Sequence, residues 1–241
     1  MSLYIEALIR VDVDVLWEHT QEPARHQRWD LRFTEIDHLP AAAGEPQRFR
    51  YATRVLPFLT VSGVGVSAGE KRRPDGTRTS ALRFASAHPL SLLAEGSGYW
   101  RYVPTGDGVR FLTGYDYRPR WGRAGALADR FLFRPLMGWA TAWSFDRLRL
   151  WLERGVTPER GLVRAVAEAG ARALCVAAAV AVGGPVAGLA AEVAAVLVPP
   201  LPGTPAARRC LRAPRERARA PRLLDRLPAA ATLAEPKEQS A

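Results

Sequence analysis

Between residues 33 and 119 the chain repeats one pattern: a short run alternating apolar with charged residues, then a turn too brief to hold a helix. A period of two puts alternate side chains on opposite faces, so the pattern dictates a sheet with one wet and one apolar face. Phe49, Tyr51, Thr53 and Val55 alternate with Arg48, Arg50 and Arg54, and Leu82 and Phe84 flank Arg83. Trp100 and Tyr102 oppose Arg101, and Val109, Phe111, Thr113, Tyr115 and Tyr117 oppose Arg110, Asp116 and Arg118. Ile36 in 33–39 and the weaker run 59–68 complete six strands. Turns such as Pro74-Asp75-Gly76 and Gly106-Asp107-Gly108 make them an antiparallel meander.

Ahead of the meander, residues 3–10 alternate Ile5, Ala7 and Ile9 with Glu6, Leu8 and Arg10, which reads as a half-buried strand. Asp12 caps a short helix reaching Thr20, and a second short helix spans 24–29. Successive turns of a meander lie at alternate ends of the sheet, so the connections sort by parity. One end carries polar or small turns, and the other carries 55–59, 88–93 and 118–121, rich in Leu, Phe, Pro and Trp. These tips either fold back over the core or form an apolar rim that docks on a partner or membrane.

From Gly125 to Arg154 helix breakers are scarce, which reads as one long helix. Leu127, Phe131, Gly138, Ala142, Phe145, Leu148 and Leu152 fall along one face, and Pro135 kinks the run. Gly138 and Ala142 are small enough to leave space beneath the helix for a ligand.

This order of elements resembles the polyketide cyclase/dehydrase and START-related lipid-transfer superfamily (SRPBCC), the helix-grip fold of the birch pollen allergen group. The resemblance is carried by VDVDVLWEHTQEPARHQRWD, with Leu16-Trp17 and Trp29, and by WSFDRLRLWLERG at 143–155. It covers about residues 1–155 and implies an α+β fold in which the meander wraps around the long C-terminal helix and encloses an apolar cavity. The residues placed inward would then line it: Phe49, Tyr51, Thr53, Leu82, Phe84, Trp100, Tyr102, Phe111, Thr113, Tyr115 and Tyr117 from the sheet, and Phe131, Gly138, Ala142 and Phe145 from the helix. Such a face suits a lipid, isoprenoid or polyketide-like molecule. The implied activity is binding or transport of that molecule. A cyclase, aromatase or dehydratase in the same cavity, or a partner-binding module using the rim, are the alternatives.

Catalytic residues are hard to find. His26 and Asp30, four apart on a short helix, are the weak candidates, and their spacing first suggests an exposed surface pair. No metal-ligand spacing, phosphate loop or nucleophile setting occurs, so neither metal nor cofactor is expected. Cys175 and Cys210 read as unpaired thiols.

Beyond Gly155, the 19 residues Ala173–Ala191 are uncharged but are interrupted by Gly183-Gly184-Pro185 and followed by Glu192. Length alone allows a membrane span. The central break, the poor apolarity of Ala and Gly, and basic flanks on both sides fit a re-entrant or surface-lying hairpin better. Packing of the two halves on the domain is the other reading. The expected division is a ligand-binding domain at 1–155, an apolar helical segment at 156–200 and a basic, disordered tail at 201–241. The net charge of +10 is carried almost wholly by Arg, a compositional bias that gives no reason to expect nucleic acid as a partner. A hydrophobic small molecule and a membrane surface are the expected partners. With no leader visible at Met1, the domain is expected in the cytoplasm, at the inner face of the membrane through residues 158–226.

Overall fold

A computed structural model describes residues 3–41, 44–56, 58–214 and 220–227. Strands β1 (Leu3–Ile9), β2 (Glu35–His38), β3 (Gln47–Leu56), β4 (Leu59–Arg72), β5 (Arg78–Ala85), β6 (Leu93–Thr105) and β7 (Gly108–Pro119) form one sheet. The order is β1-β7-β6-β5-β4-β3-β2, so β2 to β7 are a continuous meander and β1 closes its far edge, Ile5 opposite Thr113. Helices α1 (Val13–Gln21) and α2 (Pro23–Trp29) link β1 to β2, and the Asp12 carboxylate accepts from the Asp14 amide to cap α1. With a long helix packed against this sheet, the chain has the α+β helix-grip fold.

The expected long helix is continuous but changes register. It comprises α3 (Gly122–Ala128), a π-helical turn Asp129–Phe133 and α4 (Arg134–Arg154). Pro135 offers no N–H to the preceding turn, and the chain takes up the mismatch as a π turn. That wider turn rotates everything before it around the helix axis. Downstream, Ala142, Phe145 and Leu148 are fully buried in the main core as expected. Upstream, Leu127 and Phe131 emerge on the surface, 59% and 71% exposed, so Phe131 is not a core or cavity residue.

In the C-terminal third the apolar helix breaks where expected, and the departure from expectation lies in the residues after it. Helix α5 (Pro158–Leu197) has Gly184 at φ 73 followed by Pro185, and it turns back on itself there. Arg172 donates to the carbonyls of Ala195, Val198 and Pro199, and Gly188 lies directly against Val180, so the two arms run side by side as a hairpin. The residues after it lie on the domain. Ala206, Ala207 and Cys210 are buried, and Glu6 and Leu211 exchange both backbone hydrogen bonds at 2.9 Å. Leu223, Leu224 and Leu227 cover the outer face of the sheet beside Tyr4, Val66, Tyr99 and Leu112. The described parts of 201–227 are therefore ordered against the domain, while 215–219 and 228–241 lie outside the described residues. The same packing explains why β1 is buried on both faces rather than half-buried: the strap over its outer side leaves Glu6 only 5% exposed, where Arg110 pairs with it through Nε and Nη2, each at 3.0 Å.

Candidate functional site

A cavity of about 190 Å³ lies between the inner face of the sheet, α1, α2 and α4. Eight of the residues expected to line it do so: Phe49, Tyr51, Thr53, Leu82, Phe84, Trp100, Thr113 and Tyr115. Their arrangement depends on glycines in the neighbouring strand. A Cβ on Gly65 would fall 2.3 Å from the Phe49 ring, one on Gly63 2.4 Å from the Tyr51 hydroxyl, and one on Gly96 2.5 Å from the Phe84 ring. Each of these rings lies over bare backbone, and the cavity is the room this leaves.

The other expected lining residues have different work. Tyr102 is fully buried and ties the sheet to α1: its hydroxyl bonds Thr20 at 2.6 Å and accepts from Gln21 at 2.9 Å. Phe111 and Phe145 stack on each other in the core, with centroids 4.4 Å apart. Tyr117 donates to Asp129 and so holds the π turn. Ala142 makes room for the strap, since Cys210 Sγ donates to its carbonyl at 3.2 Å, and a Cβ at Gly138 would meet Leu3 at 3.6 Å. Both small residues admit neighbouring chain rather than leave ligand space.

Several hydroxyls of the inner face are also engaged internally. Thr53 donates to the Arg32 carbonyl, and Thr113 donates to that of Tyr99 at 3.0 Å. Tyr115 donates to Thr141, 3.1 Å away, because Thr141 spends its own hydrogen on Met137 O at 2.7 Å. The Tyr51 hydroxyl, pushed up to about 12 by burial, stays protonated.

The most charged part of the lining is a cluster that the sequence disguised. Asp30, expected on the surface with His26, has a fully buried side chain, and the His26 side chain is only 12% exposed. Asp30 accepts four hydrogen bonds: from Arg32 Nε at 2.9 Å, Arg32 Nη2 at 2.6 Å, the Arg32 amide at 3.0 Å and His26 Nε2 at 3.1 Å. Burial by itself would raise the Asp30 carboxyl, but the Arg32 charge and these bonds outweigh it and hold the group well below the usual carboxylate range. His26 stacks on Trp29 and meets Trp100 and Phe33 edge-on, while the Arg32 guanidinium rests against the Phe33 and Tyr115 rings. His26 and Arg32 both line the cavity. Arg32 was missed in the sequence; the only available sign was a cation two residues from an acid beside Trp29 and Phe33.

Burial lowers the His26 pKa below its ordinary 6.5, against the pull of Asp30, so the ring is neutral in the fold at neutral pH. The unfolded chain takes up a proton there first. The His26 contribution to stability is therefore complete above 6.5 and is lost as pH falls below it, until the folded ring protonates as well. The slope is at most about 1.4 kcal/mol per pH unit. Denaturant titrations at stepped pH should show it, and His26→Gln should flatten the curve from about pH 6.5 downward.

No family model matches the chain. An uncharacterized membrane protein of Bacillus subtilis, YndG, is 48% identical over 165 residues, which is 68% of this chain and 62% of that protein. The chain thus spans less than two thirds of that relative. Among solved structures, a STAR-related lipid transfer protein of Xanthomonas axonopodis is 18% identical with a TM-score of 0.48, covering 64% of this chain and 86% of that one. A Streptomyces aromatase/cyclase is 14% identical with a TM-score of 0.41, covering 52% and 71%. The fold assignment itself stands on the strand order and helix placement described above.

Proposed function

We propose that the chain binds a hydrophobic small molecule carrying one oxygen-bearing end, and that it works in contact with a membrane. The observation that supports this reading best is a buried guanidinium in an otherwise mainly apolar cavity. Arg32 gives two of its five N–H donors to the Asp30 carboxylate and also bonds the Tyr115 side chain, and the donors left over are suited to a carbonyl, hydroxyl or carboxylate oxygen of a ligand. At about 190 Å³ the cavity lies below the 300–1,000 Å³ usual for drug-sized ligands. A short acyl chain or a one- to two-ring compound fits that size. The membrane part draws on the exposed apolar α5 and on a relative described as a membrane protein. The division at residues 155 and 200 belongs to the same proposal.

Native mass spectrometry of freshly purified protein should show a co-purifying small molecule, and its absence together with failure to bind a fluorescent fatty acid would count against the reading. Gly65→Val provides the control. Its side chain must push the Phe49 ring into the cavity, so affinity for the fluorescent fatty acid should fall about tenfold or more, with only about 1–3 kcal/mol lost in stability.

A second reading, turnover of a polyketide-like substrate, is favoured by the His26–Asp30 pair. With Nε2 directed at Asp30, the other ring nitrogen is an acceptor that can take a proton from a substrate in the cavity. Loss of turnover in His26→Gln with binding unchanged would establish it.

A further inference from the structure

The two ends of the α5 hairpin are fixed to one place. Where it begins, Arg147 Nε donates to the Pro158 carbonyl at 2.8 Å, and where the chain returns, the Asp146 carboxylate accepts from the Ala206 amide at 2.7 Å. Adjacent residues of α4 therefore hold the entry and the exit, and the chain that leaves the domain at Pro158 comes back to it at Ala206.

The hairpin is also strongly polarised. At its base Arg154, Arg164, Arg172, Arg208 and Arg209 each donate to a backbone carbonyl between Ala195 and Thr204, which gathers five arginines into a collar, with Arg172 also paired to Glu168 and Arg209 to Asp146. Trp139 and Trp143 line the crevice beside that collar. From there to the tip, residues 173–197 contain Glu192 as their single charged side chain. Apolar side chains on both arms face solvent: only 6% of the most apolar stretch is buried, and Val182 at the tip is 92% exposed. Arginines spread along the base up to Arg172, with the half-exposed Trp139 beside them, and an apolar projection with one charge beyond match the headgroup-to-hydrocarbon gradient of an anionic leaflet.

Length decides how far the projection reaches. From Arg172 to Gly184 there are about 12 helical rises of 1.5 Å, or about 18 Å, and the return arm is of similar length. A hydrocarbon core is about 30 Å thick, so neither arm crosses it beyond the collar. A single span would need the C-terminal strap to leave Asp146 for the other side.

We propose that α5 inserts as a re-entrant hairpin into one leaflet of an anionic bilayer, with the folded domain and the strap on the same side. This rests on the membrane reading above and adds its topology, depth and lipid preference. Glu192 then lies about 6 Å from the collar, near enough for its carboxylate to reach the headgroups.

The test uses the full chain with vesicles of phosphatidylcholine, alone or mixed with phosphatidylglycerol. Flotation should favour the anionic vesicles by about tenfold or more. Val182→Cys in a Cys175→Ser background places a thiol at the tip. It should resist a membrane-impermeant maleimide added outside or trapped in the lumen, and a polarity-sensitive probe on it should be quenched by spin labels deep in the acyl chains. Reaction from the lumen would overturn the one-leaflet topology while leaving membrane contact standing. No flotation, with fatty-acid binding intact, would overturn both. A soluble dimer that shields the tip thiol in light scattering and labelling would show that a second copy covers the hairpin, and would also overturn the proposal. Val182→Asp with Val186→Asp, both at exposed positions, should leave the fold unchanged by circular dichroism and abolish flotation.

Discussion

Asp30→Ala should lower stability by about 3–5 kcal/mol, a fall in Tm of about 10 °C for a chain of this size. The alanine removes the acceptor for two guanidinium N–H groups, the Arg32 amide and His26 Nε2 at once, and it leaves a cation with a side chain only 10% exposed and no counter-charge. The loss comes mainly from that stranded charge, because a buried ion pair returns little net energy over a well-packed apolar pair. Asp30→Leu combined with Arg32→Met should accordingly cost less than Asp30→Ala alone, a non-additivity that a double-mutant cycle measures directly. If the double variant loses as much as the two single variants together, the cluster is not the coupled unit described here. The same double variant removes the guanidinium from the cavity, so its affinity for the fluorescent fatty acid reads the ligand role separately from stability.

Asp146→Ala should cost about 3 kcal/mol and release the C-terminal strap. Its carboxylate is fully buried and accepts from Arg149 at 2.7 Å, the Ala206 amide at 2.7 Å and Arg209 at 2.8 Å. Arg149 keeps Glu153 as a partner, but the Ala206 amide is left buried and unbonded. Amide exchange at Glu6 and Leu211 should accelerate together, and trypsin should cut after Arg208 or Arg209 far faster than in the parent chain. Unchanged exchange at those two amides in a destabilised variant would mean that the strap is held by something other than Asp146.

The sheet was legible because arginines alternate with aromatics along its strands, a period of two that nothing else in the chain imitates. The helix was legible only after Pro135. Upstream, the stripe through Leu127 and Phe131 assumed a constant 3.6-residue period, and the π turn at Asp129–Phe133 broke that phase without any sequence sign beyond the proline itself. The polar cluster was hidden for another reason. His26 sits on a seven-residue helix and Asp30 caps its end, too short a stretch for periodicity to reveal a buried face, and the rings packed on His26 include Trp100, far away in sequence. Composition misled most in the tail. Its arginines looked like solvated charge, whereas Arg208 and Arg209 are occupied with carbonyls at the base of the hairpin, and its few leucines are too sparse to show a pattern yet suffice to cover the sheet. The break at Gly184 was visible in advance, because a glycine before a proline inside an apolar helix leaves few alternatives.

The bridge between Glu6 and Leu211 joins the first strand to nearly the last described segment, and that sets an order of events during synthesis. The outer side of β1 stays open until the strap has left the ribosome, and the strap follows the hairpin. All residues of the hairpin have therefore left the ribosome before the domain can close over its own first strand.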